Sequence, residues 1–166
     1  MRRRFDIADL QIEEGKTITP ELVAKILKRS EPILVTGGKL LEDEHLSDLV
    51  AEIVKRTGSE VIATGGSSKP LLERGIEAGM FKIRSTTLHN FTQEVLDGNN
   101  DLHRRLLVFV GFEPYLLSRM LSSIKHFSKA ITISIDEYYQ PHARLSFPDA
   151  FDSNWYALLE NLVSCL

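Results

Sequence analysis

Short runs of apolar and β-branched residues alternate with amphipathic segments along most of the chain, and this alternation limits the fold more than any other feature. The runs cover residues 33–35, 61–63, 106–110 and 131–135, and a last short strand is expected over 145–147. The first three are apolar on both faces, which is typical of parallel strands that helices cover on both sides. Strands alternating with helices are joined by right-handed crossovers. The pattern predicts an α/β fold of three layers, Rossmann-like, with a mostly parallel, doubly wound sheet.

The amphipathic segments predict the helices, and capping residues mark several of their ends. Thr19 can cap the first helix, and Pro20 suits its first turn because proline has no N–H to lose. Gly58 is placed to end the second helix, and Ser67 or Ser68 can cap the third. The helical positions predicted to face the core are Leu22, Val23, Ile26, Leu27, Leu46, Leu49, Val50, Ile53, Val54, Phe91, Val95, Leu96, Tyr115, Leu116, Met120, Leu121, Ile124, Trp155, Leu158, Leu159, Leu162 and Val163.

The length of 166 residues fits one domain, and the hydrophobic share of 43% is ordinary for a globular protein. No internal repeat or low-complexity linker is visible, so residues 1–166 are predicted to form a single Rossmann-like domain. Residues 1–16 are polar and mixed, which predicts an N-terminal leader. Its basic run, Arg2–Arg4, is expected to be a solvated terminus and not an anchor.

Charge and composition exclude several partner classes. The formal net charge is -3, whereas a nucleic-acid partner requires a basic excess. No apolar segment is long enough to span a bilayer, and the charged start is not followed by the apolar stretch of a signal peptide. Cys165 is the single cysteine and cannot form an internal disulfide. A cytoplasmic protein with no nucleic-acid or membrane partner is expected.

Glycine-rich turns follow the predicted strands and form the candidate binding site. In an open α/β sheet, ligands bind beyond the carboxyl ends of the strands, where the strand order reverses. Glycine lets a ligand approach the backbone closely, and backbone N–H groups can face a phosphate at a helix start. The candidate cofactor-binding residues are Gly37, Gly38, Lys39, Thr64, Gly65, Gly66, Ser67, Ser68 and Gly111.

A structural explanation of the same turns stays open beside the functional one. Tight turns from strand to helix need glycine whatever they hold. Neither Gly37-Gly38 nor Gly65-Gly66 matches the G-x-G-x-x-G or the P-loop pattern. Lys39 could neutralise a phosphate, but a lysine in such a loop is more often solvated.

No residue pattern supports a catalytic or metal site built by this chain alone. The five histidines lack the spacing of ligand pairs on a helix, Cys165 has no cysteine partner, and the G-x-S-x-G nucleophile motif is missing. Asp136 and Glu137 are adjacent carboxylates, but neighbours in an extended segment point in opposite directions. Asp136 is therefore expected to accept a hydrogen bond within its loop. We predict no catalytic and no metal-binding residues.

Aromatic residues are concentrated late in the chain, and two interpretations of them remain open. They can fill the core beneath the last helix, or they can form a patch for a protein partner, because tyrosine and tryptophan are enriched at interfaces. The residues are Tyr138, Tyr139, Phe147, Phe151, Trp155 and Tyr156.

Several stretches of the chain resemble one protein family in their order and spacing, and the total length also agrees. The stretches are Pro32–Gly37, Val61–Gly65, Tyr115–Ser118, Phe127–Ser128, Ile133–Asp136 and Ala143–Phe147. Through them the chain is similar to the epsilon subunit of the archaeal acetyl-CoA decarbonylase/synthase complex. The resemblance covers nearly the whole chain.

The resemblance implies a Rossmann-like fold of the type found in deoxyhypusine synthase and in the middle domain of thiamine-diphosphate enzymes. It implies a partner, the large carbon monoxide dehydrogenase subunit that holds the nickel–iron–sulfur clusters, in an assembly of two large and two small chains. Complexes of this family make or cleave acetyl-CoA in methanogens and related archaea. The implied roles of the small subunit are to stabilise its partner or to assist electron transfer to FAD. The family supplies no catalytic residues.

Three hypotheses about function follow from these observations. The first is an accessory, non-catalytic subunit of such a complex. The second is an independent flavin- or nucleotide-binding electron-transfer protein, suggested by the glycines and serines at the strand ends. The third is a module that associates with itself, which the small net charge and the late aromatic residues permit.

Overall fold

A computed structural model describes residues 14–166 of the chain. Within these residues, none of the helices combines the length and the low polarity that a bilayer-spanning segment requires. Single turns of 3₁₀ helix cover Gly38–Leu41 and Asp101–Arg104. In chain order the other elements are β1 (Lys16–Thr17), α1 (Pro20–Arg29), β2 (Ile33–Thr36), α2 (Glu44–Thr57), β3 (Glu60–Ala63), α3 (Ser68–Leu72), β4 (Ile83–Ser85), α4 (Leu88–Asp97), β5 (Leu106–Val110), α5 (Pro114–Phe127), β6 (Ile131–Ser134), β7 (Leu145–Ser146) and α6 (Ser153–Cys165).

All seven strands that the structure describes lie parallel in one sheet, in the order β1-β7-β6-β5-β2-β3-β4. Without the edge strand β1, this is the doubly wound order of the Rossmann fold. The order reverses between β2 and β5, where Thr36 and Val110 are paired at the carboxyl ends. The predicted three-layer, Rossmann-like fold is confirmed, and the switch point lies at the turns that follow β2 and β5.

The sheet separates two apolar cores. Neighbouring residues of a strand point to opposite faces, so Leu34 packs on one side of β2, and Ile33 and Val35 pack on the other. The first core joins the sheet to α1, α2, α3 and α6, and the second joins it to α4 and α5. Because β2, β3 and β5 are covered on both faces, their sequences are apolar over most of their length.

Two helix ends follow the capping signals of the sequence. Thr19 Oγ1 accepts a hydrogen bond from the N–H of Leu22 at 3.4 Å, and Pro20 is the first residue of α1. Helix α2 ends at Gly58, which adopts the left-handed conformation with a φ of 64°. Both predicted ends are confirmed.

Three side chains that the periodicity predicts to be buried lie on the surface. Leu22 of α1 is 49% exposed, and Tyr115 and Leu116 of α5 are 50% and 41% exposed. Leu117 and Ser118 are buried in α5 instead. The prediction is wrong at these positions because a helix buries only a stripe, and all three residues lie beside that stripe on the solvent side.

Two short strands lack the sequence pattern of the others. Strand β1 covers only Lys16–Thr17 and pairs with β7, and β4 covers Ile83–Ser85 and pairs with β3. A strand of two or three residues is too short to show a periodicity. Its position is set by hydrogen bonds to the backbone of the neighbouring strand. The predicted leader over residues 1–16 lies outside the described residues up to residue 13, as does its basic run, and its last residue belongs to β1.

Candidate functional site

The glycine turns that follow β2 and β5 meet at the carboxyl edge of the sheet, beside the switch point. The N–H of Gly37 donates to the carbonyl of Val110 at 2.9 Å. The N–H of Lys39 donates to the carbonyl of Gly111 at 3.1 Å. Residues that are far apart in the sequence are therefore held together by backbone hydrogen bonds, as the doubly wound order requires.

Contacts between the turns themselves require glycine at several of these positions. A Cβ on Gly37 would overlap the carbonyl oxygen of Gly111, and a Cβ on Gly65 would lie 3.1 Å from the Cα of Gly38. Gly111 has a φ of 88°, and a Cβ there would lie 2.6 Å from Cδ1 of Leu40. Close packing of the turns therefore accounts for these glycines without any ligand.

The hydroxyl groups near the β3 turn bind the protein's own backbone. The N–H and Oγ1 of Thr64 both donate to the carbonyl of Thr36, at 2.9 and 2.8 Å. Ser67 is fully buried, and its Oγ lies 2.7 Å from Thr36 Oγ1. Ser67 therefore stabilises the junction of β2 and β3, and its side chain does not cap α3 as the sequence predicts. Ser68 is the first residue of that helix, which has only five residues.

A cavity of about 830 Å³ opens beside the turns, and we call it the crevice. Leu88 and Phe112 line it and are buried, whereas Leu41 and Leu116 line it and are 51% and 41% exposed. Gly37, Gly66, Ser67 and Ser68 do not line the crevice. The predicted cofactor-binding residues that do line it are Gly38, Lys39, Thr64, Gly65 and Gly111.

Lys39 is engaged by other side chains of the chain. Its Nζ forms an ion pair with the carboxylate of Glu137. The same atom lies 5.7 Å from the ring centroid of Trp155 and 5.9 Å from that of Tyr138. The positive charge that the sequence offers to a phosphate is thus already matched by a carboxylate.

A second cleft, of about 490 Å³, adjoins the crevice and shares Lys39, Glu42 and Glu137 with it. We call it the acidic cleft. The two cavities together are lined by one basic side chain, Lys39, and by six carboxylates. These are Glu42, Asp43, Glu44, Glu113, Glu137 and Asp152.

Asp136 is a buried carboxylate at the end of β6, next to the switch point. Its Oδ1 accepts a hydrogen bond from the N–H of Gly111 at 2.6 Å, and its Oδ2 accepts one from Phe112 at 3.1 Å. Burial raises the pKa of Asp136 to about 7, and the two N–H donors and Lys39 oppose that rise. Asp136 accepts hydrogen bonds as predicted, but the donors lie in the turn after β5 and not in its own loop, so the bonds tie β6 to that turn.

Whether a dinucleotide such as FAD fits the crevice depends on the hydrogen-bond donors and the charged side chains that the crevice presents. In residues 14–166, the N–H groups of Gly38 and Gly65, which line the crevice, have no protein acceptor, so they can donate to a ligand. Such N–H groups can bind a diphosphate without a basic side chain, but carboxylates close to them oppose its charge. The crevice presents Glu42 and Glu113. The geometry of the turns suits a phosphate, and the charge around them opposes one.

Metal-ligating side chains are dispersed in the described part of the chain. No group of three or more histidine, cysteine, aspartate or glutamate side chains there is placed to hold a metal ion. Cys165 lies in the last turn of α6, with its Sγ 3.9 Å from Oδ1 of Asn161.

The late aromatic residues divide between the core and the surface. Phe147 and Trp155 are buried, and Trp155 Nε1 donates to the carbonyl of Ile135 at 2.9 Å. Tyr138 and Phe151 are half-buried and meet edge to face, with ring centroids 5.1 Å apart. Phe147 and Trp155 therefore fill the core, whereas Tyr138 and Phe151 lie near the carboxylates of the crevice.

Sequence reasoning missed the residues that set the character of the site. Leu41 and Glu42 lie in and just after the 3₁₀ turn that follows β2, and Leu116 lies in the first turn of α5. The ion pair of Lys39 with Glu137 joins residues 98 positions apart. The only signal in the sequence is that each of these residues comes soon after a predicted strand.

Residues 4–163 match the protein family described as CO dehydrogenase beta subunit/acetyl-CoA synthase epsilon subunit. The chain is 44% identical over 175 residues to the acetyl-CoA decarbonylase/synthase complex subunit epsilon 1 of Archaeoglobus fulgidus, covering 99% of this chain and 92% of that protein. It is 29% identical over 158 residues to the corresponding subunit epsilon 1 of Methanosarcina barkeri, covering 93% and 91%. It is 28% identical over 153 residues to subunit epsilon of Methanothermobacter thermautotrophicus, covering 90% and 87%.

Proposed function

Because the chain belongs to the family of the CO dehydrogenase beta subunit/acetyl-CoA synthase epsilon subunit, we propose that it is an accessory, non-catalytic subunit of an acetyl-CoA decarbonylase/synthase complex. In this proposal it binds the large carbon monoxide dehydrogenase subunit, which carries the nickel–iron–sulfur clusters, and stabilises it in an assembly of two large and two small chains. The observation that carries the proposal is the 44% identity to a named epsilon subunit along 99% of the chain.

The surface of α5 supports a role in protein association. Phe127 is 75% exposed at the end of this helix, and Tyr115 and Leu116 are 50% and 41% exposed at its start. Ile131, which begins the next strand, is 43% exposed. Exposed apolar side chains thus stand at both ends of α5, and each end offers apolar surface that a partner can cover.

Co-expression with the large subunit tests the proposal directly. The tagged chain should retain the large subunit at a constant ratio through gel filtration, and the tag alone should retain none. The large subunit should also keep its carbon monoxide oxidation activity longer at elevated temperature when the chain is present, because a bound partner stabilises the folded state. Elution of the chain without the large subunit would show that the proposal is wrong.

A flavin-binding electron-transfer protein is the second candidate function. One observation favours it: the crevice lies at the switch point, where this fold binds dinucleotides, and the N–H groups of Gly38 and Gly65 in its lining have no protein acceptor in residues 14–166. In this candidate, FAD lies across the turns after β2 and β3 and exchanges electrons with the clusters of the large subunit.

Titration of the purified chain with FAD tests the second candidate. Binding should quench flavin fluorescence and raise the Tm through linkage. The variant Gly38→Leu should abolish both effects without unfolding the chain, because Gly38 has ordinary φ and a Cβ there would lie no closer than 3.4 Å to a neighbour. Unchanged fluorescence and Tm at near-millimolar FAD would remove this candidate for the isolated chain.

A further inference from the structure

The crevice has the apolar character of a surface that another molecule covers. Leu41 and Leu116 stand half exposed at a cavity of about 830 Å³ whose deeper lining includes the buried Leu88 and Phe112. When a partner fills a concave site, exposed leucines there lose their contact with water. This removal of apolar surface from water is the main source of affinity in such clefts.

The charge of the same region defines what can fill it. Asp43 and Glu113 have internal roles, because they accept N–H groups at the starts of α2 and α5. Glu42 and Asp152 are exposed, and their side chains have no hydrogen-bond or ion-pair partner in residues 14–166. Glu42 lines both the crevice and the acidic cleft. These carboxylates attract a cation and repel a phosphate.

Backbone N–H groups without a protein acceptor in residues 14–166 are the third feature of the crevice. The N–H groups of Gly38 and Gly65, which line the crevice, can donate to the carbonyl groups of an extended peptide as readily as to a phosphate. A peptide segment can therefore use all three features at once: its carbonyls meet the N–H groups, its apolar side chains meet the leucines, and its lysine or arginine side chains meet the carboxylates. A dinucleotide can use the N–H groups and the leucines, but its diphosphate is repelled by the carboxylates.

We infer that the crevice and the acidic cleft together dock a segment of the large subunit in which basic residues flank apolar ones. The inference rests on the proposed accessory function and assigns the surface that carries it. The place at which this fold holds a dinucleotide thus serves as a protein-binding groove in this chain.

Matched substitutions in the full chain, co-expressed with the large subunit, test the inference. Glu42→Lys reverses a charge shared by both cavities, and Glu77→Lys makes the same change at an exposed residue outside them. Leu116→Gln removes an apolar contact in the crevice, and Leu22→Gln removes a leucine of similar exposure on α1. Each crevice variant should lower retention of the large subunit about tenfold, as for a central interface residue, and each control should retain it at the wild-type level.

The outcomes separate the inference from the function on which it rests. Retention at the wild-type level in both crevice variants would overturn the inference and leave the accessory function standing. No retention by the wild-type chain would overturn both. Flavin that co-purifies with the wild-type chain and is lost in Gly38→Leu would identify FAD as the occupant instead.

Discussion

The two ends of the strands carry opposite charges. We call the side where the parallel strands end the carboxyl edge, and the side where they begin the amino edge. At the carboxyl edge, the crevice and the acidic cleft hold six carboxylates and one lysine. At the amino edge lies a cleft of about 450 Å³, the basic cleft, which contains one carboxylate, Glu14. Its basic side chains are Lys16, Lys125, Lys129 and Arg144. The chain as a whole is nearly neutral, so its formal charge of -3 hides a strong separation.

Much of this separation follows from the fold itself. In a parallel α/β sheet the crossover helices run against the strands, so their N-termini gather at the carboxyl edge and their C-termini at the amino edge. Carboxylates stabilise helix N-termini and basic residues stabilise helix C-termini. Asp43 and Glu113 act as such caps, and Lys125 lies in the last turn of α5.

The comparison shows which charges the fold does not explain. Glu42 and Asp152 at one edge cap nothing through their side chains, and Lys16 and Arg144 at the other edge belong to no helix. Charges that stabilise no element of the chain are the ones on which a partner can act. If this distinction holds, substitutions at the carboxyl edge should divide into those that change stability and those that change binding of a partner.

The largest expected effect concerns Asp136, the buried carboxylate of the carboxyl edge. Its pKa is raised to about 7 by burial, so between about pH 4 and pH 7 the folded state binds more protons than the unfolded state. Stability contributed by the neutral form is therefore present below pH 4 and is lost as the pH rises to 7. Relative to Asp136→Asn, the wild-type free energy of unfolding should fall by about 4 kcal/mol across this range.

Urea denaturation at several pH values measures this difference. Asp97→Asn is the matched control, because it makes the same chemical change at an exposed residue in the last turn of α4, at the amino edge. A wild-type stability that rises with pH relative to Asp136→Asn would mean that the N–H groups of Gly111 and Phe112 favour the anion more than burial opposes it.

The next effect concerns the packing of the glycine turns. Gly37→Ala should lower the free energy of unfolding by about 2–3 kcal/mol, because the new Cβ overlaps a backbone carbonyl that cannot move aside easily. Gly75→Ala should cost about 1 kcal/mol, because Gly75 has a φ of 83° but open space around it. Equal losses in thermal unfolding would contradict the conclusion that the turns after β2 and β5 need glycine for close packing.

The fold could be predicted from the sequence further than the site could. Apolar runs and caps such as Thr19 and Gly58 are local patterns, so they predicted the central strands and the helix ends. The edge strand at Lys16–Thr17 has no local pattern, because its only determinant is the neighbouring strand. The ion pair of Lys39 with Glu137 is equally non-local.

Glycine was the visible signal of the candidate site, and it predicted where the turns lie but not the character of the cavity beside them. The turns that contain Gly37 and Gly111 do meet at the switch point, as their positions after strands predicted. The character of the cavity depends on Leu41, Glu42 and Leu116, which stand in no recognisable motif. The end of a strand can be predicted from the residues next to it in the sequence. The charge of a cavity depends instead on residues from several segments that are distant in the sequence.

A smaller effect concerns the acidic cleft, where one carboxylate serves the fold. The hydroxyl of Tyr156 donates to Oδ2 of Asp43, and this hydrogen bond, with smaller contributions from burial and nearby carboxylates, raises the pKa of Tyr156 to about 12. Tyr156→Phe should lower the free energy of unfolding by about 1 kcal/mol, because a half-buried hydrogen bond between α2 and α6 is lost. Glu160→Gln removes the charge from an exposed contact with His45 between the same helices and should cost less than about 0.5 kcal/mol. Denaturant midpoints that rank the two variants in the reverse order would contradict this.

The smallest expected change in stability is the most informative about the two edges. Glu42→Lys at the carboxyl edge and Lys129→Glu at the amino edge each reverse one exposed charge, and each should alter the free energy of unfolding by less than about 0.5 kcal/mol. Their effects on retention of the large subunit should differ, because only Glu42 lines the crevice. Retention by wild type should also weaken as salt is raised, and Glu42→Lys should reduce that dependence. If Lys129→Glu impairs retention and Glu42→Lys does not, the partner binds the basic cleft, and the carboxylates of the crevice serve some other ligand.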